Sequence, residues 1–176
     1  MKKLISEILI LSFLFFTFSC TNEDDKTDVI NQESSIDSYL STTFADSTVI
    51  INDGAARIIL NEGIGSDFLE VGDSVKFYYV GYIFSNGPST VFATNNPYTF
   101  EDLDFELTDQ DSTVVDVKFS NQFISGLNKG LVGMKNEEHS YILFSSDDGF
   151  KNNDLYNVPA LSSLIFEVWI TDLKKN

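Results

Sequence analysis

The sequence predicts an α+β domain: an antiparallel sheet of five or six strands with one short central helix, preceded by a tether and an N-terminal helix. Three observations lead there. Short β-branched and aromatic runs recur between clusters of Gly, Asn and Asp. A single interior stretch, Ile124–Met134, combines small and apolar residues at helical spacing. The last run, Ser163–Leu173, alternates cleanly, with Leu164, Phe166, Val168 and Ile170 on one face and Ile165, Glu167, Trp169 and Thr171 on the other.

Composition bounds what such a domain can do. The chain has 176 residues, enough for one domain with a real core. Its 27 Asp and Glu against 11 Lys and Arg give a net charge of -16, which argues against a nucleic-acid partner, because phosphate binding rests on Lys and Arg. One Cys excludes a disulfide framework and a Cys-rich zinc site. A hydrophobic share of 43%, with 16 Phe and 7 Tyr, argues against disorder over most of the chain.

Taken in order, residues 1–19 carry Lys2 and Lys3 ahead of an apolar run from Ile8 to Phe18. The run is shorter than the roughly 20 residues of a membrane span and fits a secretory signal. Cys20 follows Ser19 at once. That arrangement resembles a bacterial lipoprotein signal, in which Cys20 becomes the lipidated first residue; an ordinary signal peptide with an incidental Cys is the alternative. Thr21–Ser35 is acidic and reads as a solvated tether, and Glu23, Asp24 and Asp25 resemble an export signal for the outer leaflet. Ile36, Tyr39, Leu40 and Phe44 predict a short amphipathic helix capped by Ser34 or Ser35, so that residues 20–46 form a lipidated tether with a short helix and residues 47–176 the domain proper. Strands are expected at Val49–Asn52, Ala56–Asn61, Ser74–Phe84, Val114–Phe119, Ser140–Phe144 and Ser163–Leu173. Leu127 and Leu131 share one face of the central helix. Phe77, Ile142, Phe144 and Val168 read as core, and His139 as an exposed residue of a polar turn.

Two blocks are more specific. One holds Gly72-Asp73 and Tyr79-Val80-Gly81. The other holds Phe123-Ile124-Ser125-Gly126-Leu127, Gly130-Leu131, Gly133-Met134, Val158-Pro159-Ala160 and Leu164-Ile165-Phe166-Glu167-Val168. Together with Ala56–Gly65 they resemble an FKBP-type peptidyl-prolyl cis-trans isomerase domain over roughly residues 47–173, which implies an antiparallel sheet curved around the short helix. An acidic insertion near residues 93–114 separates them, with Glu101, Asp102, Asp104, Glu106, Asp109 and Asp111. Asp109–Thr113 resembles the opening of a calcium loop but lacks its turn glycine and has Ser120 where the closing Glu belongs, so a solvated acidic strand face is the reading and no metal site is assigned.

Rotating an X-Pro amide needs no nucleophile, metal or cofactor. The barrier of about 18–20 kcal/mol comes from amide resonance. A catalyst must favour the twisted amide, which an apolar aromatic pocket with a few fixed hydrogen bonds does. The resemblance implies a pocket formed by Tyr79, Phe92, Ile124, Phe150 and Phe166 as the catalytic set and Phe123, Leu127 and Val158 as further substrate-binding residues. The Ile124 amide would bond a ligand carbonyl. Leu127 stands where many members have a floor Trp. Phe92 and Phe166 would be walls, with Val117 and Phe119 both open as candidates for another.

Two positions depart from the family pattern. Ala93 replaces the Asp after the wall Phe, and Phe150 replaces a Tyr whose hydroxyl donates to the bound carbonyl. The expectation is weak or absent isomerase activity with a retained apolar groove. The implied partners are X-Pro segments of extracytoplasmic proteins and the membrane, reached through a lipid on Cys20. The alternative is a non-catalytic binding module, a chaperone or an accessory subunit of an outer-membrane secretion or uptake complex.

Overall fold

The computed structural model describes residues 21–97 and 113–176. The expected signal peptide, Cys20 and the acidic residues from Glu101 to Asp111 lie outside the described residues.

The described residues begin with helix α1, Thr21–Thr43. This corrects the reading of Thr21–Ser35 as a solvated tether. Its acidic, Ser-rich sequence carries little helical signal of its own, but tertiary contacts support a helix that propensity alone does not. Among the described residues nine strands follow: β1 (Val49–Asn52), β2 (Ala55–Asn61), β3 (Ile64–Phe68), β4 (Ser74–Phe84), β5 (Pro88–Thr94), β6 (Val115–Lys118), β7 (Lys135–Asn136), β8 (His139–Phe144) and β9 (Leu164–Lys174). Helix α2 (Ser125–Leu131) stands between β6 and β7.

The main sheet has the order β1-β2-β8-β9-β4-β5, and β6 also pairs with β4. Every pairing in it is antiparallel. All six expected runs lie in this sheet. The seventh strand, β5, was not legible because Pro88-Ser89-Thr90 breaks its apolar pattern. β3 and β7 form a separate ribbon, and β3 is exposed along its whole length, so it has no alternation to read. β4 is long enough to take β6 opposite Ser74–Phe77 and β5 opposite Val80–Phe84, on the same edge.

The alternation of β8 and β9 builds two cores. On the inner side Ile142, Phe144, Leu164, Phe166, Val168 and Ile170 join Phe77, Phe119, Leu127 and Leu131. On the outer side Ile58, Leu143 and Ile165 lie under α1, against Ile36, with Tyr39, Leu40 and Phe44 packed around them. Phe77, Ile142, Phe144 and Val168 are fully buried, as expected. His139 is a correction. It begins β8 half-buried, with Nε2 2.8 Å from Glu167 Oε1 and its ring stacked on Trp169 at 4.7 Å.

Helix α2 meets the inner face with almost no side chain between. A Cβ on Gly126 would run into the Phe144 ring, and one on Gly130 into Ile142. Two glycines four apart let the backbone lie directly on β8. The buried Arg57 holds the helix's far end, donating from Nη1 to the carbonyls of Gly130 (3.2 Å) and Val132 (2.8 Å) and from Nη2 to that of Gly133 (3.1 Å). Its Nε lies 3.4 Å from Glu138 Oε1, a distance and geometry of ion pairing rather than of a hydrogen bond. Burial lowers the guanidinium pKa, and the Glu138 charge works against that shift.

Candidate functional site

The aromatic residues singled out from the sequence form one continuous chain of ring contacts. Phe123 meets Phe77 at 5.6 Å, Phe77 meets Tyr79 at 6.3 Å, and Tyr79 meets Phe166 at 6.0 Å. Phe166 meets Phe92 edge-on at 5.6 Å, and Phe92 meets Phe150 at 6.0 Å. Phe144 stacks behind Phe166 at 6.0 Å. Centroid spacings of this size with tilted or edge-on planes are favourable for aromatic pairs.

Exposure divides this set in two. Leu127, Val158 and Phe166 are buried, at 5%, 1% and 4%. Tyr79, Phe92, Phe123, Ile124 and Phe150 are only partly buried against the same core. The result is an apolar floor bordered by rings that keep surface open to solvent. Of the two open wall candidates, Phe119 is fully buried and belongs to the core, its amide and carbonyl taken by Asp73 O and Gly72 N at 2.8 Å each. Val117 stays half-buried on β6 opposite Val75.

Local sequence features explain how each ring arrives. Gly81 opposes Ala93 while Tyr82 opposes Val91, which leaves Phe92 as the extra residue of a β-bulge. Bulges re-aim side chains, and here the Phe92 ring reaches over Gly81. A Cβ at Gly81 would stand 2.9 Å from Phe92 Cζ and 3.0 Å from Phe166 Cε1. The Tyr79-Val80-Gly81 motif therefore has a packing reason: only a residue without a side chain lets the two walls meet.

Polar side chains that the sequence reading did not single out fix the backbone beneath the rings. The Tyr79 amide donates to Asn95 Oδ1 at 2.6 Å, and the Tyr79 carbonyl accepts from Thr94 Oγ1 at 2.9 Å. The buried Asn95 also donates to the carbonyls of Phe77 (3.3 Å) and Thr113 (3.0 Å), tying together the two ends of the acidic insertion. Asn128 of α2 accepts from the Phe123 amide (3.1 Å) and donates to the Phe123 carbonyl (2.6 Å). Asp148, just before Phe150, accepts from Ser125 Oγ at 2.7 Å and from Lys129 Nζ at 2.7 Å. Burial works to lower the Lys129 pKa, but its hydrogen bonds to Asp148 and Asp53 outweigh that and raise it. These bonds join the Ile124 and Phe150 sides of the site. No local pattern marks Asn95, Lys129 or Asp148, since the partners named for them lie far along the chain. Tyr156, 72% exposed, was also missed; it extends the ring chain past Phe150 at 5.9 Å.

The Ile124 amide, at the N-cap of α2, donates to no group among the described residues. The only nearby intrahelical bond at that residue uses its carbonyl, which accepts from the Asn128 amide at 3.0 Å. An apolar floor, open aromatic walls and a free backbone donor can desolvate and hold a neutral, extended peptide. They offer no nucleophile and no acid–base pair.

Comparison with known proteins bears on the fold and the family. Residues 65–171 match the family described as FKBP-type peptidyl-prolyl cis-trans isomerase. Among solved structures, a peptidyl-prolyl cis-trans isomerase from Pseudomonas syringae pv. tomato is 15% identical, covering 90% of this chain and 99% of that one, with a TM-score of 0.61. FkpA from Escherichia coli is 18% identical, covering 86% of this chain and 63% of that one, TM-score 0.58. The N-terminal domain of FKBP42 from Arabidopsis thaliana is 17% identical, covering 74% and 94%, TM-score 0.57. At these identities the structural likeness speaks for the fold. A search of curated proteins finds no match. With the family model spanning most of the folded domain, the chain belongs to the FKBP-type peptidyl-prolyl cis-trans isomerase family.

Proposed function

We propose that the aromatic face binds X-Pro segments of extracytoplasmic proteins and lowers the barrier to rotation of the prolyl amide, at a rate below that usual for the family. The observation that carries this reading is the linked row of rings in which Tyr79, Phe92, Phe123 and Phe150 stay partly open beside the buried Phe77, Leu127, Val158 and Phe166. Such a surface strips water from the planar amide, whose resonance is the barrier of about 18–20 kcal/mol. In this reading the Ile124 amide holds the carbonyl of the twisted state. Ala93 offers no carboxylate at the rim and Phe150 no hydroxyl. A net hydrogen bond contributes about 0.5–1.5 kcal/mol, so two missing ones slow the reaction roughly tenfold to a hundredfold.

The same two residues support a second reading, in which the face holds client chains without turning them over, as a chaperone or as an accessory subunit of an outer-membrane secretion or uptake complex. A protease-coupled prolyl isomerisation assay on the full-length protein separates the two. Slow but measurable turnover that rises strongly in Ala93→Asp/Phe150→Tyr supports the enzyme. Proline-peptide binding with no turnover in either form supports the binding module.

The cell-envelope location rests on Cys20 following an apolar segment. Among the described residues no helix is long and apolar enough to cross a membrane, so attachment in this reading runs through the lipid. Labelling with a fatty acid that is lost in Cys20→Ser would support it, and equal labelling of both forms would overturn it.

A further inference from the structure

Helix α1 covers the outer face of the sheet, on the side away from the aromatic face. From Lys26 to Thr43 its residues shielded from solvent are Val29, Gln32, Ile36, Tyr39 and Leu40. That is a helical stripe with one polar member, Gln32. A primary amide in such a stripe costs stability unless it is hydrogen-bonded. Gln32 is bonded at both ends. Its Nε2 donates to the Leu161 carbonyl at 2.7 Å, and its Oε1 accepts from the Ser146 amide at 2.8 Å and from Ser163 Oγ at 3.1 Å.

Ser146 and Ser163 flank the loop that carries Phe150, Tyr156 and Val158, and both are buried. Inside that loop the Lys151 amide donates to the Ser146 carbonyl at 2.9 Å, and the Leu161 amide to the Lys151 carbonyl at 2.8 Å. The bonds close a circuit from Gln32 through Ser146, Lys151 and Leu161 back to Gln32. Lys151 and Leu161 both sit at left-handed backbone angles, φ 56° and 58°. Non-glycine residues hold that conformation where the surroundings over-determine it. Gln32 supplies the one part of the circuit that comes from outside the loop.

We infer that Gln32 is a positioning residue for the aromatic face: reaching over from the outer helix, it holds the Phe150 loop closed, so that docking of α1 and order of the site are coupled. The role in turnover rests on the isomerase reading above, whereas the clamp itself does not.

The test uses the full-length protein with Gln32→Leu and Gln32→Glu, read by amide hydrogen exchange, thermal melting and prolyl isomerisation. Leu keeps the stripe apolar, so α1 stays docked and the melting temperature moves little. The amides of Ser146, Lys151 and Leu161 then exchange about tenfold faster while those of β8 are unchanged, and kcat/KM falls about threefold to tenfold. Glu keeps the acceptor and loses the donor, so the Leu161 end loosens while Ser146 stays protected. Wild-type exchange throughout the loop in both variants overturns the clamp, as does faster exchange spread evenly over β8 and β9. An unchanged kcat/KM beside a loosened loop overturns the positioning role. Should Gln32→Leu fail to fold, the one-ended pattern in Gln32→Glu decides. An inactive wild type sinks the isomerase reading, and the exchange pattern still decides the clamp.

Discussion

The two faces of the sheet are built from the same strands and differ in how they are closed. The inner face meets α2 through bare backbone at Gly126 and Gly130, with a polar anchor in Arg57 at the helix's far end. Beside that contact the face stays partly open, lined with rings. The outer face is covered by α1 through ordinary side-chain packing of Ile36, Tyr39 and Leu40, with Phe44 just past the helix end and Gln32 as the one polar contact point in the stripe. A surface that must receive a ligand needs its helix set close and rigid, leaving room beside it. A surface that must exclude water needs only an apolar stripe of adequate width.

The largest expected effect tests the inner anchor. Arg57→Ala leaves Glu138, 2% exposed, as a buried charge and strands the carbonyls that cap α2. Removing one member of a buried pair costs about 3–5 kcal/mol, to be read in urea denaturation of the full-length protein. A loss below about 1 kcal/mol would place α2's stability elsewhere.

On the outer face, Ile36→Ala removes the buried centre of the stripe. A loss of about 2 kcal/mol is expected, at the low end for such truncations because α1 packs on one side only. The comparison sharpens if this variant also speeds exchange in the Phe150 loop, and breaks if the loop is untouched. Gly126→Ala should cost about 1–3 kcal/mol by overpacking, since the new methyl meets the Phe144 ring. Phe144 stacks on Phe166, so isomerisation should fall more than stability does. An unchanged rate would separate the α2–β8 contact from the site.

The smallest effect concerns acid. Asp73 sits in the turn before β4, where burial works to raise its pKa. Hydrogen bonds from Lys175 Nζ (2.7 Å), the Glu70 amide (2.9 Å) and the Asn176 amide (3.1 Å) outweigh that and hold it below the usual carboxylate value. The folded pKa lies below the unfolded one, so the stabilisation is present above the ordinary Asp range and is lost as pH falls through the lowered value. Asp73→Asn should therefore be less stable than wild type at neutral pH, and the two should converge on acidification. Parallel melting curves across that window would show that Asp73 contributes no pH-dependent stability.

Much of the inner face was legible in the sequence. The runs at Ser74–Phe84, Ser140–Phe144 and Ser163–Leu173 read as strands from their β-branched and aromatic content, with clean alternation in the last, and α2 announces itself through Leu127 and Leu131 among glycines. The rings of Tyr79, Phe92, Phe150 and Phe166 were each identifiable, and the structure brings them into contact. The outer layer was less legible. The α1 stripe was traced only from Ile36, because Gln32 and the acidic residues around it look solvated. Asn95, Asn128 and Arg57 gave no signal, for a polar residue is defined by its partner rather than by a period.

The sequence by itself determined which residues share a face of the last strand, where the small helix forms and that aromatic side chains run through the whole domain. Apolar periodicity is a local property and survives without knowledge of the fold. Only the tertiary structure decided that the acidic N-terminal segment is a helix, and that one of its glutamines reaches a loop more than a hundred residues away. A hydrogen bond needs two groups within about 3 Å, and which two is settled by how the layers stack.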